Sequence, residues 1–376
     1  MRILFVAGHE FLEKQDNGGR QCSYRNYTVL QEIVGTENVY LCMLSNTSIS
    51  NEAKHIQVFP THHGKLEQIK NTITLRNGYS RKTEKDIIKY INSVDADVIW
   101  FDFSITGSLI NKIHKKKTVV FLHNIEKKYM WNKVKHDGLA YLLPSFSYAY
   151  NEKNIVNQAD RIICLNERDS RELQKCYNKT AHFLMPMTFE DNYDSIRAER
   201  KKTERRENEK KRLLFVGSLF APNYDGISWF VKNVMTGLSD YLLTIVGKDM
   251  EKKRKELSAY NVNVVGTVDD LSEYYYETDA VVIPILYGDG MKIKTAEAMM
   301  YGKPIFATKE ALEGYDTDGV HGIWECNSSK EFIEVIQQSA NSINEKEYER
   351  NVRGLFLDKY ETHNMINQVK KFLEEV

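Results

Sequence analysis

The chain of 376 residues is long enough for two domains at roughly 100–200 residues each, either half able to bury its own core. Its 52 basic and 52 acidic side chains cancel, which argues against a dedicated nucleic-acid binder. With 42% hydrophobic and 28% charged residues, 20 Gly and only 6 Pro, it is neither disordered nor fibrous. The 5 cysteines, Cys22, Cys42, Cys164, Cys176 and Cys326, are scattered, odd in number and lack a CxxC. That pattern speaks against structural zinc and a disulfide framework and fits a reducing cytosol. The apolar run Met1–Ala7 is too short for a signal peptide, and no stretch approaches the ~18 apolar residues of a membrane span. A soluble, cytoplasmic protein is expected.

Short apolar runs alternate with longer amphipathic stretches. In the first half, Arg2–Ala7, Val98–Phe101, Val119–Leu122, Arg161–Leu165 and His182–Met185 read as strands buried on both faces of a parallel sheet. Helical periodicity lies between them, as in Arg20–Ile33 and Asp86–Ile91. Asn166 with Asp169 three residues later predicts a capped helix directly after strand 161–165. The run RAERKKTERRENEKKR at 197–212 holds nine basic and four acidic residues and reads as a solvated linker. A basic membrane-facing patch is its other reading.

The rhythm then restarts. Leu213–Val216, Leu242–Val246, Val262–Val265, Ala280–Ile285 and Pro304–Ala307 are predicted strands. Tyr224–Met235, Asp270–Glu277, Lys292–Met300, Ser329–Ala340 and His363–Glu375 are predicted helices. Two successive β/α series imply an α/β protein of two Rossmann-like domains with parallel sheets facing a cleft. The expected bounds are 1–196, a linker at 197–212, a second domain at 213–360 and a terminal helix at 361–376.

The strongest local signal is Gly288-Asp289-Gly290-Met291-Lys292-Ile293-Lys294, running into a helix that carries Glu297. Glycines let backbone N–H groups turn toward an anion, and a helix N-terminus adds about half a positive charge. Lys292 and Lys294 at such a helix start oppose the dipole, and a bound phosphate would supply the reason. Glu297, one to two turns on, could accept hydrogen bonds from ribose hydroxyls. Gly18-Gly19 before a helix is a weaker version of the same signal. His123 follows a strand at the edge where α/β folds place ligand-binding residues. His62-His63 lacks a third ligand at metal spacing and reads as surface. The tract Lys127–Lys133 mixes cations with aromatics, as a sheet-covering helix or as an acceptor or membrane surface. No GxGxxG follows a strand, and GxxxxGK[ST] and GxSxG are absent, which removes the usual support for dehydrogenase, P-loop and α/β-hydrolase readings.

These residues resemble the group 1 glycosyltransferases, the family 4 retaining enzymes of the GT-B fold. The likeness rests on Leu213–Leu219 with Asn223 and Trp229-Phe230, and on Gly290–Met299 followed by Gly302-Lys303-Pro304. It also rests on Ala159–Cys164 with Glu167–Asp169, and on His123-Asn124-Ile125-Glu126. The resemblance implies transfer of a sugar from a UDP- or GDP-sugar to a glycan, glycolipid or glycoprotein, with retention of configuration. It implies a bacterial polysaccharide-type pathway, no metal, no further cofactor and no nucleic acid. It also implies peripheral contact with the inner face of the membrane, and a last helix that crosses back to the first domain.

In that scheme Glu297 binds the donor ribose and Lys292 or Lys294 neutralises the diphosphate, with N–H groups of Gly288, Asp289, Gly290 and Met291. Gly217 and Ser218 line the donor site, Gly18 and Gly19 close over the phosphates, and His123 contacts the donor sugar. Two positions depart from the family pattern. Asp289 stands where a Glu is frequent, and Ser218 where an Arg is frequent. A GT-B sugar epimerase and an inactive partner subunit are the alternative readings.

Overall fold

The computed structural model describes residues 1–13, 18–46, 55–61, 65–113, 116–203, 210–288, 291–339 and 346–376. The chain forms two compact units, Met1–Met187 with Met365–Val376, and Thr188–Asn364.

The first unit is built on seven parallel strands: β1 (Ile3–Ala7), β2 (Val39–Ser45), β3 (Ile56–Pro60), β4 (Val98–Asp102), β5 (Lys117–Leu122), β6 (Arg161–Cys164) and β7 (Phe183–Leu184). Their order is β3-β2-β1-β4-β5-β6-β7. Successive side chains in a strand point to opposite faces, and here the two faces feed two separate cores. Ile3, Phe5, Leu41, Trp100 and Phe121 pack on one side; Leu4, Val6, Cys42, Ile99 and Leu122 pack on the other. This two-sided burial is why the strands read as unbroken apolar runs.

Helix Gly18–Val34 covers the first face through Cys22, Tyr27, Val29 and Leu30. Helix Thr362–Glu374 lies beside it, with Met365, Ile366, Val369, Phe372 and Leu373 in the same core. Those positions form one helical stripe, and each buried side chain of this size contributes about 1.5–3 kcal/mol. Phe372 stacks on Phe183 at 5.1 Å. On the other face lie helices Arg81–Ser93, Leu142–Gln158 and Glu167–Tyr177. Asn166 caps the last of these, its side chain accepting from the Asp169 N–H at 2.9 Å, as the sequence predicts.

The second unit has six parallel strands: β8 (Lys211–Val216), β9 (Tyr241–Val246), β10 (Val262–Gly266), β11 (Ala280–Ile283), β12 (Ile305–Ala307) and β13 (Ile323–Glu325). Their order is β10-β9-β8-β11-β12-β13. Both sheets therefore reverse their strand order beside their first strand, between β1 and β4 and between β8 and β11. Open α/β sheets bind ligands outside the carboxyl ends of the strands at that point.

Several expectations change. The crossing between units falls at Met187–Thr188, well before the charged run 197–212, and the second unit continues to Asn364. Part of the run is helix Ser195–Thr203 of the second unit. Ala198 is buried in that unit's core, and Arg197 pairs with Asp270 at 3.2 Å and with Glu273. A few contacts of this kind suffice to fold a segment whose composition reads as linker. Residues 204–209 lie outside the described residues, as do His62 and His63. Strands β2, β3 and β13 and helices Lys65–Ile73, Leu142–Gln158 and Lys346–Lys359 add to the elements predicted from sequence.

Candidate functional site

In the second unit the polar residues gather where β8 and β11 end. Gly217 and Ser218 follow β8. A Cβ at Gly247, whose φ is 151°, would lie 2.0 Å from the Gly217 carbonyl oxygen, so only glycine lets the turns after β8 and β9 meet. Helix Ile293–Met300 starts one residue later than predicted, with Lys292 as its N-cap in extended conformation. This separates the two lysines. Lys292 Nζ pairs with Glu310 Oε1 at 2.6 Å, and its carbonyl accepts from the Tyr315 hydroxyl at 2.8 Å.

Lys294, in the first helical turn, donates instead to the Asn223 side-chain oxygen and lies over the Phe215 ring at 5.1 Å. Among the described residues no carboxylate is within ion-pair distance of it. A Cβ on Gly217 would come within 3.1 Å of its ammonium. Asn223 is fixed in turn by donating to the Ser218 carbonyl at 2.9 Å. Burial lowers the Lys294 pKa to about 8, with the charge of Glu297 opposing the shift and that of Lys292 adding to it.

Glu297 lies on the same helix and accepts from the Tyr275 hydroxyl at 3.0 Å. Tyr275 is buried and stacked on Tyr301 at 4.7 Å, which fixes that oxygen of Glu297. Burial raises the Glu297 pKa, while Tyr275 and Lys294 oppose the rise. A cavity of 410 Å³ opens beside this carboxylate, edged by Asp270, Ser272, Tyr275, Met300 and Tyr301. Gly288 has φ 142°, which suits glycine, and Met291 is half-buried. Asp289 and Gly290 lie outside the described residues. The structure thus brings together Gly217, Ser218, Lys294 and Glu297, and turns Lys292 toward Glu310.

In the first unit Gly18 and Gly19 form the first turn of helix Gly18–Val34, rather than a turn preceding it. Deeper in that helix, Ser23 and Asn26 reach the carboxyl ends of β1 and β4, where sequence reasoning had marked nothing. Asp102, the last residue of β4, is fully buried. Its Oδ2 accepts from Ser23 Oγ at 2.5 Å and lies 3.1 Å from His123 Nε2. Its Oδ1 accepts from Asn26 at 2.6 Å and from the Trp100 indole at 3.4 Å. Ser23 Oγ also lies 3.0 Å from His9 Nε2, just beyond β1.

Burial opposes charge on Asp102, but His123 and these hydrogen bonds bring its pKa down to about 2. Burial likewise opposes charge on His123, but Cys22 and Asp102 raise its pKa to about 10. His123 is only 4% exposed, whereas His9 is half-buried. Phe103 stands edge-on to His123 at 5.0 Å and to His9 at 6.1 Å. Its φ of 120° is a conformation that costs a non-glycine residue on the order of 1–3 kcal/mol and collects at functional sites.

The signals for the missed residues are faint but present. Asp102 ends an otherwise apolar run, VIWFD, and His9 follows one. Asn223 is part of the stretch that carries the resemblance, without a role assigned there, and Tyr275 carries no pattern beyond its helix.

Residues 210–342 match the family model described as Glycosyl transferases group 1. A relative described as an uncharacterized 44.6 kDa protein in the cps region of Klebsiella pneumoniae is 23% identical over 246 residues, which cover 61% of this chain and 60% of that one. Among solved structures, Anabaena Alr3699/HepE in complex with UDP superposes with a TM-score of 0.66 at 14% identity, covering 100% of both chains. The lipopolysaccharide outer core galactosyltransferase WaaB, in its apo form, gives a TM-score of 0.67 at 12% identity, again over 100% of both chains. WaaG, a glycosyltransferase involved in lipopolysaccharide biosynthesis, gives 0.60 at 17% identity over 98% of this chain and 99% of its own. The chain therefore has the GT-B fold, and its residues 210–342 are similar to the group 1 glycosyl transferases.

Proposed function

We propose that the protein is a glycosyltransferase that moves a sugar from a UDP- or GDP-sugar to a glycan, glycolipid or glycoprotein acceptor, with retention of anomeric configuration. The observation that carries this reading is the placement of Lys294, without a carboxylate partner among the described residues, at the β8–β11 switch point with Glu297 about one turn into its helix. Breaking the bond between sugar and diphosphate loads negative charge on the leaving group. A fixed ammonium and oriented N–H groups stabilise that charge without reorganising, usually the largest catalytic term.

Lys294 takes the diphosphate, aided by N–H groups of Gly217, Ser218 and the 288–291 loop. Lys292 is tied to Glu310. Glu297 uses its remaining oxygen for the ribose, and the adjoining cavity receives the base. Anabaena HepE has been crystallised with UDP and with UDP-glucose, which supports a uridine nucleotide donor.

No described helix is long and apolar enough to cross a membrane. Peripheral contact at the inner, cytoplasmic face of a membrane is supported by exposed Trp131, Leu139 and Phe146 near Lys127, Lys128 and Lys133. The test of the donor reading is a thermal-shift screen of nucleotides and nucleotide sugars. A ligand at 100 times its Kd stabilises by about 2.7 kcal/mol. Stabilisation by UDP or GDP, followed by acceptor-dependent nucleotide release, is expected. No response to any nucleotide would overturn the reading.

A further inference from the structure

Glu297 is an acceptor with one of its two oxygens tied. Oε2 accepts from the Tyr275 hydroxyl at 3.0 Å, and no other hydrogen bond reaches the carboxylate among the described residues. The phenol cannot swing away. Tyr275 is 1% exposed and lies parallel to Tyr301, with ring centroids 4.7 Å apart and planes 6° from coplanar. Tyr301 in turn meets Tyr276 edge-on at 5.1 Å. Tyr276 accepts from the Asp194 N–H at 2.7 Å, and the Arg197 guanidinium lies over its ring at 5.1 Å. Arg197 is itself held by Asp270 and Glu273. Each ring is braced by a neighbour in an offset-stacked or edge-on arrangement, so the hydroxyl is a fixed donor.

An ionised carboxylate can only accept hydrogen bonds. One that turns freely re-aims toward water when a ligand offers it no hydroxyl, and the mismatch costs little. One that is half-buried and tied through Oε2 keeps Oε1 in place, and a ligand without the hydroxyl leaves that oxygen unpaired. Sites built to bond a substrate hydroxyl reject the analogue lacking it for this reason. Burial raises the Glu297 pKa, while the Tyr275 hydrogen bond and the charge of Lys294 oppose the rise and favour the accepting carboxylate.

We propose that Tyr275 is a positioning residue that makes the donor site selective for ribonucleotides. By holding Glu297 Oε2 it aims Oε1 at the ribose hydroxyls, so nucleotides built on 2′-deoxyribose, dTDP-sugars among them, are refused. The role rests on the ribose assignment of Glu297 above. Every residue it uses belongs to the second unit.

Calorimetry on the full chain tests this with UDP against 2′-deoxy-UDP and dTDP, and with GDP against 2′-deoxy-GDP. The wild type should bind the ribonucleotide about ten- to a hundredfold tighter than its deoxy counterpart. Tyr275→Phe keeps the ring and its stack on Tyr301 but removes the donor. Its ratio should fall to about threefold or less, through a weaker ribonucleotide Kd and an unchanged deoxynucleotide Kd. A variant that is merely loosened weakens both nucleotides alike, and a ratio that stays at the wild-type value overturns the proposal.

A second measurement keeps the hydroxyl in place. With 3-fluorotyrosine introduced at position 275 alone, UDP or GDP should move the fluorine resonance, because a ribose hydroxyl on Oε1 alters the phenol bond on Oε2. The matching deoxynucleotide should move it far less, and equal shifts overturn the proposal. Glu297→Ala separates the two readings. If it loses the ribose preference while Tyr275→Phe retains it, the role of Tyr275 alone fails. If the wild type binds ribonucleotide and deoxynucleotide equally, the ribose assignment and the role of Tyr275 fail together.

Discussion

Lys294 and Lys292 are two residues apart in sequence, yet only one has a carboxylate partner among the described residues. Lys294→Ala should therefore lower turnover by about a hundredfold or more, in the range reported for removing one preorganised donor. Lys292→Ala, which breaks an ion pair beside the loop, should have the smaller effect in the same assay. The pH dependence is signed by the Lys294 pKa of about 8. Below it the ammonium is charged, and above it diphosphate binding must take up one proton. Donor Kd should then be flat at lower pH and rise by up to about tenfold per pH unit above the pKa. Lys294→Arg should flatten that rise; calorimetry against pH decides. Glu297→Ala removes the acceptor proposed for the ribose hydroxyls, and hydrogen bonds to a charged group are worth about 1.5–3 kcal/mol. Donor affinity should fall about ten- to a hundredfold, and an unchanged value would refute the ribose assignment. Because the positive charge comes from side chains, initial rates should survive EDTA. Loss of activity restored by Mn²⁺ would refute the lysine mechanism. Local sequence marked these donor residues because glycines, lysines and a glutamate share one short stretch. The Ser23–Asp102–His9 set joins positions far apart in the chain, and one sequence carries no trace of such a contact.

At the scale of elements, helix Glu126–Asp137 illustrates a start that no local residue provides. Ile125, at its N-cap position, has no side-chain acceptor. The Glu152 carboxylate, reaching in from helix Leu142–Gln158, accepts the N–H groups of Glu126 at 2.6 Å and Lys127 at 3.0 Å. Glu152→Gln should weaken the first turn by about 1–3 kcal/mol, measured by faster amide exchange at Glu126 and Lys127. The same junction makes stability pH-dependent. Burial, then the nearby charge of Glu152, pushes the Glu126 carboxyl up to about 8. A folded pKa above the unfolded value favours the protonated form. Its contribution is complete below the ordinary carboxylate range and is lost as pH rises through about 8. Glu126→Gln should remove that loss, so that the variant melts higher than wild type in alkaline buffer. Capping by a distant helix also explains which elements could be read from sequence. Asn166 announces its helix because donor and acceptor are three residues apart. Edge strand β3 and the three-residue β13 mix polar and apolar side chains and fall below any periodic signal.

At the scale of the whole molecule, the first unit is assembled from two separate stretches of chain. The stripe Met365, Ile366, Val369, Phe372 and Leu373 completes one face of its core. Phe372→Ala should cost about 3–5 kcal/mol, and hydrogen exchange should localise the loss to residues 1–187 while the second unit keeps its protection. Synthesis gives this arrangement a timing. When Met187 has been polymerised, the face carrying Ile3, Phe5 and Trp100 has helix Gly18–Val34 but still lacks the second helix that completes its cover. Translation at about 5–20 residues per second delays Met365 by on the order of ten to forty seconds. For that interval the nascent chain displays an apolar sheet face that is only partly covered. A trigger-type chaperone should therefore dwell on ribosome-bound chains stalled between the two stretches and release once the stripe has been made, whereas a circular permutant joining 365–376 directly ahead of Met1 should need no such escort.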